Sequence, residues 1–199
     1  MGSLLEFRCP PAHSFVSMMR EQSADVSFHS AVEMMEAGSH REALRCFRRS
    51  LTLNPGNAEV MVNIGTILQG LNKRKGAEVW YRRALEFDPG YALAHYDLAT
   101  VLDVDGCPAD QEEASLHYLA AINLSPSYAD AHYNLALLLV SMREWKRAIR
   151  HFRSYLGCER QTPDTLPYRT SAAREIKRLA QLDLHMVWDR DRSVRRLAG

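Results

Sequence analysis

A proline returns along the chain with the same kind of neighbours each time. Pro55 and Pro89 lie 34 residues apart, and Pro126 follows Pro89 by 37 residues. An apolar residue and then a polar residue precede each proline, and glycine or serine follows it. A period near this length is typical of arrays of stacked helix pairs. Such arrays offer a long surface to a partner, so the pattern favours a binding protein over an enzyme.

Four other positions repeat together with the prolines. When each proline is numbered 32, successive repeats begin at Ala24, Ala58, Ala92 and Ala129. Position 8 is small, position 20 is alanine, position 24 is aromatic, and position 27 is small in three of the four repeats. The residues are Ala31, Gly65, Ala99 and Ala136 at position 8, Ala43, Ala77, Ala114 and Ala148 at position 20, Phe47, Tyr81, Tyr118 and Phe152 at position 24, and Ser50, Ala84, Ala121 and Tyr155 at position 27.

The apolar pattern independently indicates two helices in each repeat. Ile64, Leu98 and Leu135 all stand at position 7, and positions 4, 7, 8 and 11 form one stripe of a helix with 3.6 residues per turn. A proline at position 32 cannot continue the second helix and suits the turn into the next repeat. After the prolines, Asn57 and Ser127 can each cap the helix that follows.

Over residues 24–156 these recurring residues resemble the tetratricopeptide repeat family. In that family a small residue in the first helix is followed by alanine, an aromatic residue, a small residue and proline in the second. The resemblance implies an all-α fold, a right-handed α-solenoid of four helix-turn-helix repeats with a C-terminal capping helix. It also implies a non-enzymatic adaptor or scaffold whose partner is a protein or peptide.

Segments outside the four repeats complete the predicted organisation. Pro163 and Pro167 mark a connector before a last helix, which can close the end of the array. One face of that helix carries only apolar residues, Ala172, Ile176, Leu179 and Ala180. The predicted boundaries are 1–23 for an N-terminal segment that could form a short capping helix, 24–57, 58–91, 92–128 and 129–156 for the repeats, 157–170 for the connector, 171–185 for the capping helix and 186–199 for a flexible tail.

The concave face of the array is the predicted binding site. If positions 4, 7, 8 and 11 pack inward, then positions 2, 5, 6, 9 and 12 of each first helix line this face, and none of them is lysine or arginine. Asparagine at position 6 can grip a peptide backbone, and tyrosine supplies flat amphipathic contact area. The alternative is that these are merely solvated polar positions. The predicted site residues are Asn63, Thr66, Tyr96, Asp97, Thr100, Asp130, Tyr133 and Asn134.

The charge of this face limits the kind of partner. Some tetratricopeptide domains hold a C-terminal carboxylate with a clamp of lysine, asparagine and arginine, and only Asn63 fits that clamp here. Asp97, Asp103 and Asp130 would repel a carboxylate. We therefore expect no binding of acidic chaperone tails to the groove, and predict a neutral or basic segment instead.

A second prediction uses the outer face of the helices. Arg45 and Arg49 in repeat one and Arg147 and Arg150 in repeat four belong to basic clusters. The alternative function is a regulatory subunit that meets a nucleic-acid- or membrane-associated complex through this convex face. With a formal net charge of only +1 and no nucleic-acid motif, the sequence does not predict nucleic acid as a direct partner.

The remaining residue types predict no catalytic centre, metal site or cofactor. His95 and His132 share position 4 and His117 and His151 share position 23, which is interpreted as repeat inheritance because no pair has metal-helix spacing. The four cysteines are widely spread and are expected to be free thiols. No apolar run is long enough to span a bilayer, and the predicted location is the cytoplasm.

Overall fold

The computed structural model describes residues 12–104, 107–158, 162 and 164–197. Over these residues the chain forms nine α helices and no strand. The predicted all-α fold class is therefore confirmed. The helices are α1 (Ala12–Glu36), α2 (His40–Leu53), α3 (Ala58–Gly70), α4 (Arg74–Phe87), α5 (Ala92–Leu102), α6 (Pro108–Leu124), α7 (Ala129–Ser141), α8 (Trp145–Cys158) and α9 (Leu166–Leu197).

The helices group into two compact units that divide between Pro89 and Gly90. In the first unit α1 packs against α2 and α3 packs against α4, while α2 also contacts α3. In the second unit α5 packs against α6, α7 against α8, and α9 lies against α8. Helices joined by short turns thus form hairpins, which is the arrangement expected of a helical repeat.

The core of each hairpin is built from the recurring small and aromatic residues. All four alanines at position 20 are fully buried, and the four aromatic side chains at position 24 are at most 1% exposed. The small residues at position 8 are buried as well, so two helix backbones approach closely and the ring from the second helix fills the space beside them. The predicted register of the core is confirmed.

The turn inside three of the hairpins has one shared geometry. Gly38, Asn72 and Arg143 all have positive φ angles, of 75°, 58° and 60°. In the second of these turns the N–H of Lys73 donates to the carbonyl of Leu68 at 2.8 Å, and the other two turns contain the equivalent bond. This is the Schellman arrangement, which satisfies carbonyl groups left open at the end of a helix.

The first and last helices are longer than the sequence pattern predicted. α1 begins at Ala12, so it runs through the second half of the segment assigned to 1–23, and residues 1–11 lie outside the described part of the chain. α9 extends from Leu166 to Leu197, through residues assigned to the connector and the tail. On α9, Ala172 and Leu179 are buried as predicted.

Two local predictions about helix surfaces and ends differ from the structure. Ala180 is exposed, because the buried face of α9 is narrower than the predicted apolar stripe. Ser127 does not cap α7, whose N-cap position is held by Tyr128 without a side-chain hydrogen bond. The prediction for Asn57 is confirmed, since its side-chain oxygen accepts from the N–H of Val60 at 3.1 Å.

Candidate peptide-binding site

The predicted site residues are divided between the two units. Asn63 and Thr66 lie on α3 of the first unit. The other six lie in the second unit, on two helices that begin their hairpins. They are Tyr96, Asp97 and Thr100 on α5 and Asp130, Tyr133 and Asn134 on α7.

Tyr96 lies at the centre of the second-unit group. Its hydroxyl accepts a hydrogen bond from Nδ2 of Asn134 at 3.0 Å, which links α5 to α7. Its ring centroid is 4.9 Å from that of Tyr128 and 6.0 Å from that of Tyr118. One amide proton of Asn134 is therefore used inside the protein, where it holds the hydroxyl of Tyr96 in place.

Carboxylates surround this tyrosine group. Burial raises the pKa of Asp97 to about 7 and that of Asp103 to about 6. Burial, and then the charges of Asp130 and Asp97, raise the pKa of Tyr96 to about 12. No side chain in the described ranges forms an ion pair with Asp97 or Asp103. We call Asp97, Asp103 and Asp130, together with Tyr96 and Tyr128, the acidic face.

Two concavities open on the acidic face. One, of about 220 Å³, is lined by Thr100, Asp103, Val104, Tyr118, Asn134 and Leu137. The other, of about 560 Å³, lies at the N-terminal ends of α5 and α7 and includes Leu93, Tyr128 and Asp130. Among the described residues that line them, neither concavity contains a lysine or arginine. Both combine an acid, a tyrosine and an apolar side chain, which suits a peptide better than a small anion.

Tyr133 belongs to a different cluster. Its ring centroid is 5.0 Å from that of Tyr155 on α8 and 5.8 Å from that of Tyr168 on α9. Phe152 meets it edge to face at 5.9 Å. Tyr133 thus joins α7 to the two helices that follow it, and the structure does not bring it to Tyr96.

In the first unit, Asn63 and Thr66 differ in what their side chains contact. The hydroxyl of Thr66 donates to the carbonyl of Val62 at 3.1 Å and lies 3.4 Å from the hydroxyl of Tyr81. No hydrogen bond joins the amide of Asn63 to another described residue, so its donor and acceptor groups are open to a partner. Val62 stands at a predicted groove position but is only 2% exposed, so it belongs to the core.

Tyr128 is a residue of the acidic face that the site prediction did not include. It precedes α7 directly, and Tyr91 precedes α5 in the same way. Both tyrosines come two residues after the recurring proline, so their repetition at one turn position was a signal for them. The prediction considered only positions inside the first helices, and therefore missed aromatic rings supplied by the turns.

The recurring histidines meet in space, one pair in each hairpin of the second unit. The Nδ1 atoms of His95 and His117 are 2.8 Å apart, and those of His132 and His151 are 3.1 Å apart. At these distances one imidazole nitrogen donates and the other accepts. Among the described residues no group of three or more potential ligands could hold a metal ion.

We expect the second pair to make stability depend on pH. Burial, then the electrostatic influence of His132 and the positive charges of Arg147 and Arg150, lower the pKa of His151 to about 4, against 6.5 for an unperturbed imidazole. Above pH 6.5 the imidazole is neutral in both the folded and the unfolded chain, and the full contribution of His151 to stability is present. As pH falls from 6.5 towards 4, the unfolded chain takes up the proton first and stability is lost, by about 1–2 kcal/mol after allowance for solvent screening.

Urea unfolding of the native chain and of His151→Gln at pH values between 4 and 7.5 measures this loss. The difference between the two stabilities should shrink as pH falls, because the variant has no imidazole to protonate at this position. Parallel curves for the two proteins would show that His151 titrates alike in the folded and unfolded chains.

Comparisons with known proteins agree on the fold. The family model described as "Tetratricopeptide repeat" matches residues 31–104, and one described as "TPR repeat" matches residues 110–142. No curated protein matches the chain at a significant level. Over the described residues, each helix is too short or too polar to cross a lipid bilayer.

Three solved structures illustrate the likeness. PilF of Pseudomonas aeruginosa has a TM-score of 0.68 at 23% identity, covering 86% of this chain and 74% of its own. MamA of Desulfovibrio magneticus has a TM-score of 0.64 at 18% identity, covering 82% and 96%. The first TPR domain of Spaghetti (RPAP3), solved bound to the HSP90 peptide SRMEEVD, has a TM-score of 0.57 at 20% identity, covering 61% and 94%. The two family matches together cover more than half of the residues, the buried register is the one the motif requires, and this chain belongs to the tetratricopeptide repeat family.

Proposed function

We propose that this chain is a non-enzymatic adaptor that holds a neutral or basic segment of a partner protein against α5 and α7. Membership of a family of protein-interaction repeats supports the scaffold role in general. The finer proposal rests on the surroundings of Asp97. Its carboxyl group is largely removed from water beside tyrosine rings, and no described cation pairs with it. The repeat boundaries predicted from the sequence, and a cytoplasmic location, are part of the same proposal.

The electrostatics of the acidic face favour a cationic side chain from the partner. A carboxylate that is half removed from water is stabilised when a positive charge approaches it. The rings of Tyr96 and Tyr128, 4.9 Å apart, offer faces on which a guanidinium group can rest. An arginine of the partner would therefore gain a charge pair and a ring contact at one place.

The open amide of Asn63 fits the same function in the first unit. It can donate to one backbone group of an extended peptide and accept from another, and no described residue competes for it. Affinity is expected to be modest unless several repeats engage together, because ordering a flexible segment opposes binding.

Charge reversal separates this function from the alternative of a basic convex face. We expect Asp97→Lys with Asp130→Lys to weaken binding of a fluorescent nine-residue peptide of alternating arginine and alanine by about ten-fold or more. Arg45→Glu with Arg49→Glu, at exposed positions of α2, changes an equal number of charges and should leave that binding within about two-fold. Fluorescence anisotropy at constant ionic strength measures both.

The same assay at several pH values gives a second readout. Asp97 must lose its proton to pair with arginine, so affinity should fall as pH is lowered through about 7, and Asp97→Asn should remove most of this dependence. Pull-downs with mass spectrometry then identify natural partners. If Arg45→Glu with Arg49→Glu abolishes capture of the partners while the double aspartate substitution does not, a regulatory subunit with a basic convex face replaces the adaptor proposed here.

A further inference from the structure

A concavity of about 580 Å³ lies along the first half of α9, next to the end of α8. Leu156 of α8 and Leu166 of α9 supply its apolar wall, and three cationic side chains of α9 supply its charge. These are Arg169, Arg174 and Lys177. We call these five residues, with Thr170 and Ala173 between them, the α9 concavity.

In the α9 concavity, the charges of Arg174 and Lys177 are not neutralised from within the described part of the chain. None of its seven lining residues is acidic. Arg174 and Lys177 are exposed, and no described carboxylate forms an ion pair with either. The nearest acid on the helix, Glu175, is paired with Arg178, whose Nη2 lies 2.6 Å from its Oε2. The face therefore presents positive charge to solvent.

One of the three cations is held in a fixed position. Nη1 of Arg169 donates to the carbonyl of Leu156 at 3.1 Å, at the end of α8 where helix carbonyl groups lack partners within the helix. The hydroxyl of Thr170 donates to the carbonyl of Leu166 at 2.8 Å, so it does not act as a donor to a ligand. Recognition of an anion would thus come from the guanidinium and ammonium groups.

Arg174 and Lys177 lie close together along α9. On a helix that rises 1.5 Å per residue, their positions differ by about 4.5 Å along the axis. Two neighbouring exposed cations beside an apolar wall complement a segment that carries both carboxylates and apolar side chains. We infer that the α9 concavity binds an acidic segment of a partner protein, with carboxylates against Arg174 and Lys177 and an apolar side chain against Leu156 and Leu166.

The same features argue against a nucleic-acid ligand. Three cations can neutralise few phosphates, whereas strong binding of duplex DNA generally involves about 6–10 phosphate contacts. The apolar wall has no role in holding a phosphate backbone, but it gives a peptide side chain a place to bury surface. This site is separate from the acidic face and takes the opposite charge, so it does not depend on the proposed function.

The test uses the full chain and a fluorescent nine-residue peptide in which glutamate alternates with leucine. We expect Arg174→Glu with Lys177→Glu to raise its Kd by about ten-fold or more. The matched control is Arg150→Glu with Arg153→Glu, which places the same charge change at the same spacing on exposed positions of α8 and should alter Kd by less than about two-fold. Circular dichroism checks that all variants keep their helix content.

Competition identifies the ligand class. Replacing the glutamates by glutamine should abolish binding, and millimolar inorganic phosphate should displace the peptide only weakly. A single-stranded oligonucleotide that binds the α9 concavity as tightly as the peptide would overturn the inference in favour of a phosphate backbone. Equal loss in the α8 control would also overturn it, because the effect would then reflect net charge alone. Asp97→Lys with Asp130→Lys, which tests the acidic face, should not weaken binding of the glutamate–leucine peptide.

Discussion

Replacing Tyr81 with alanine is expected to lower the free energy of unfolding by about 3–5 kcal/mol. The ring of Tyr81 has no exposed surface and fills the space beside α3. Removing it loses the transfer free energy of the ring and leaves a cavity that the neighbouring helices can close only in part. Urea unfolding followed by circular dichroism, with the midpoint compared between variants, measures the change.

Tyr81→Phe is the control for this prediction. It keeps the ring and removes only the hydroxyl, which donates to Oε1 of Gln69 at 2.8 Å, so its cost should be about 1 kcal/mol. An unfolding midpoint for Tyr81→Ala equal to that of the native chain would contradict the packing described for the first unit. A cost for the phenylalanine variant as large as that of alanine would assign the stability to the hydrogen bond instead.

Gly65→Ala is the second change with a large expected effect. A Cβ atom at this position would lie 2.5 Å from Cε1 and 2.8 Å from Cδ1 of Tyr81, closer than carbon atoms can approach. The ring is enclosed on all sides and cannot move freely, so the helix or the ring must shift. We expect a net loss of about 1–3 kcal/mol, even though alanine is the better helix former.

Gly70→Ala gives a matched comparison on the same helix. A Cβ atom there meets nothing within 4 Å, so this variant should be as stable as the native chain or up to about 1 kcal/mol more stable. Equal stabilities for the two alanine variants would contradict the contact between Gly65 and Tyr81. Combining Gly65→Ala with Tyr81→Ala should cost less than the two changes summed, because the second removes the clash of the first.

The core could be predicted from the sequence because one geometric need repeats. Each hairpin buries a small residue at position 8 and an aromatic residue at position 24, so the pattern was visible four times. The ends of the chain lack such repetition. The apolar residues of α1 do not gather on one face. Acidic and basic residues alternate from Asp189 to Arg192, a pattern that occurs both in flexible tails and in solvent-exposed helices with charge pairs.

The acidic face was predictable only in part for a related reason. Asp97 and Tyr96 stand at groove positions of α5, and helix periodicity alone places them on one side. The bond from Asn134 to Tyr96 joins residues 38 apart in the chain, and depends on how two hairpins lie against each other. The pKa of Asp97 depends on burial by those neighbours, which no local pattern records.

The three positive φ angles at the hairpin turns have a consequence for how repeats of this kind diverge. Glycine, asparagine and arginine occupy one left-handed conformation at Gly38, Asn72 and Arg143, although an ordinary side chain pays roughly 1–2 kcal/mol there. The helices on either side must therefore impose the turn, whatever residue it contains. Units with different residues at this turn can therefore keep the same backbone path, so related turns of such repeats are recognised more readily from backbone shape than from sequence.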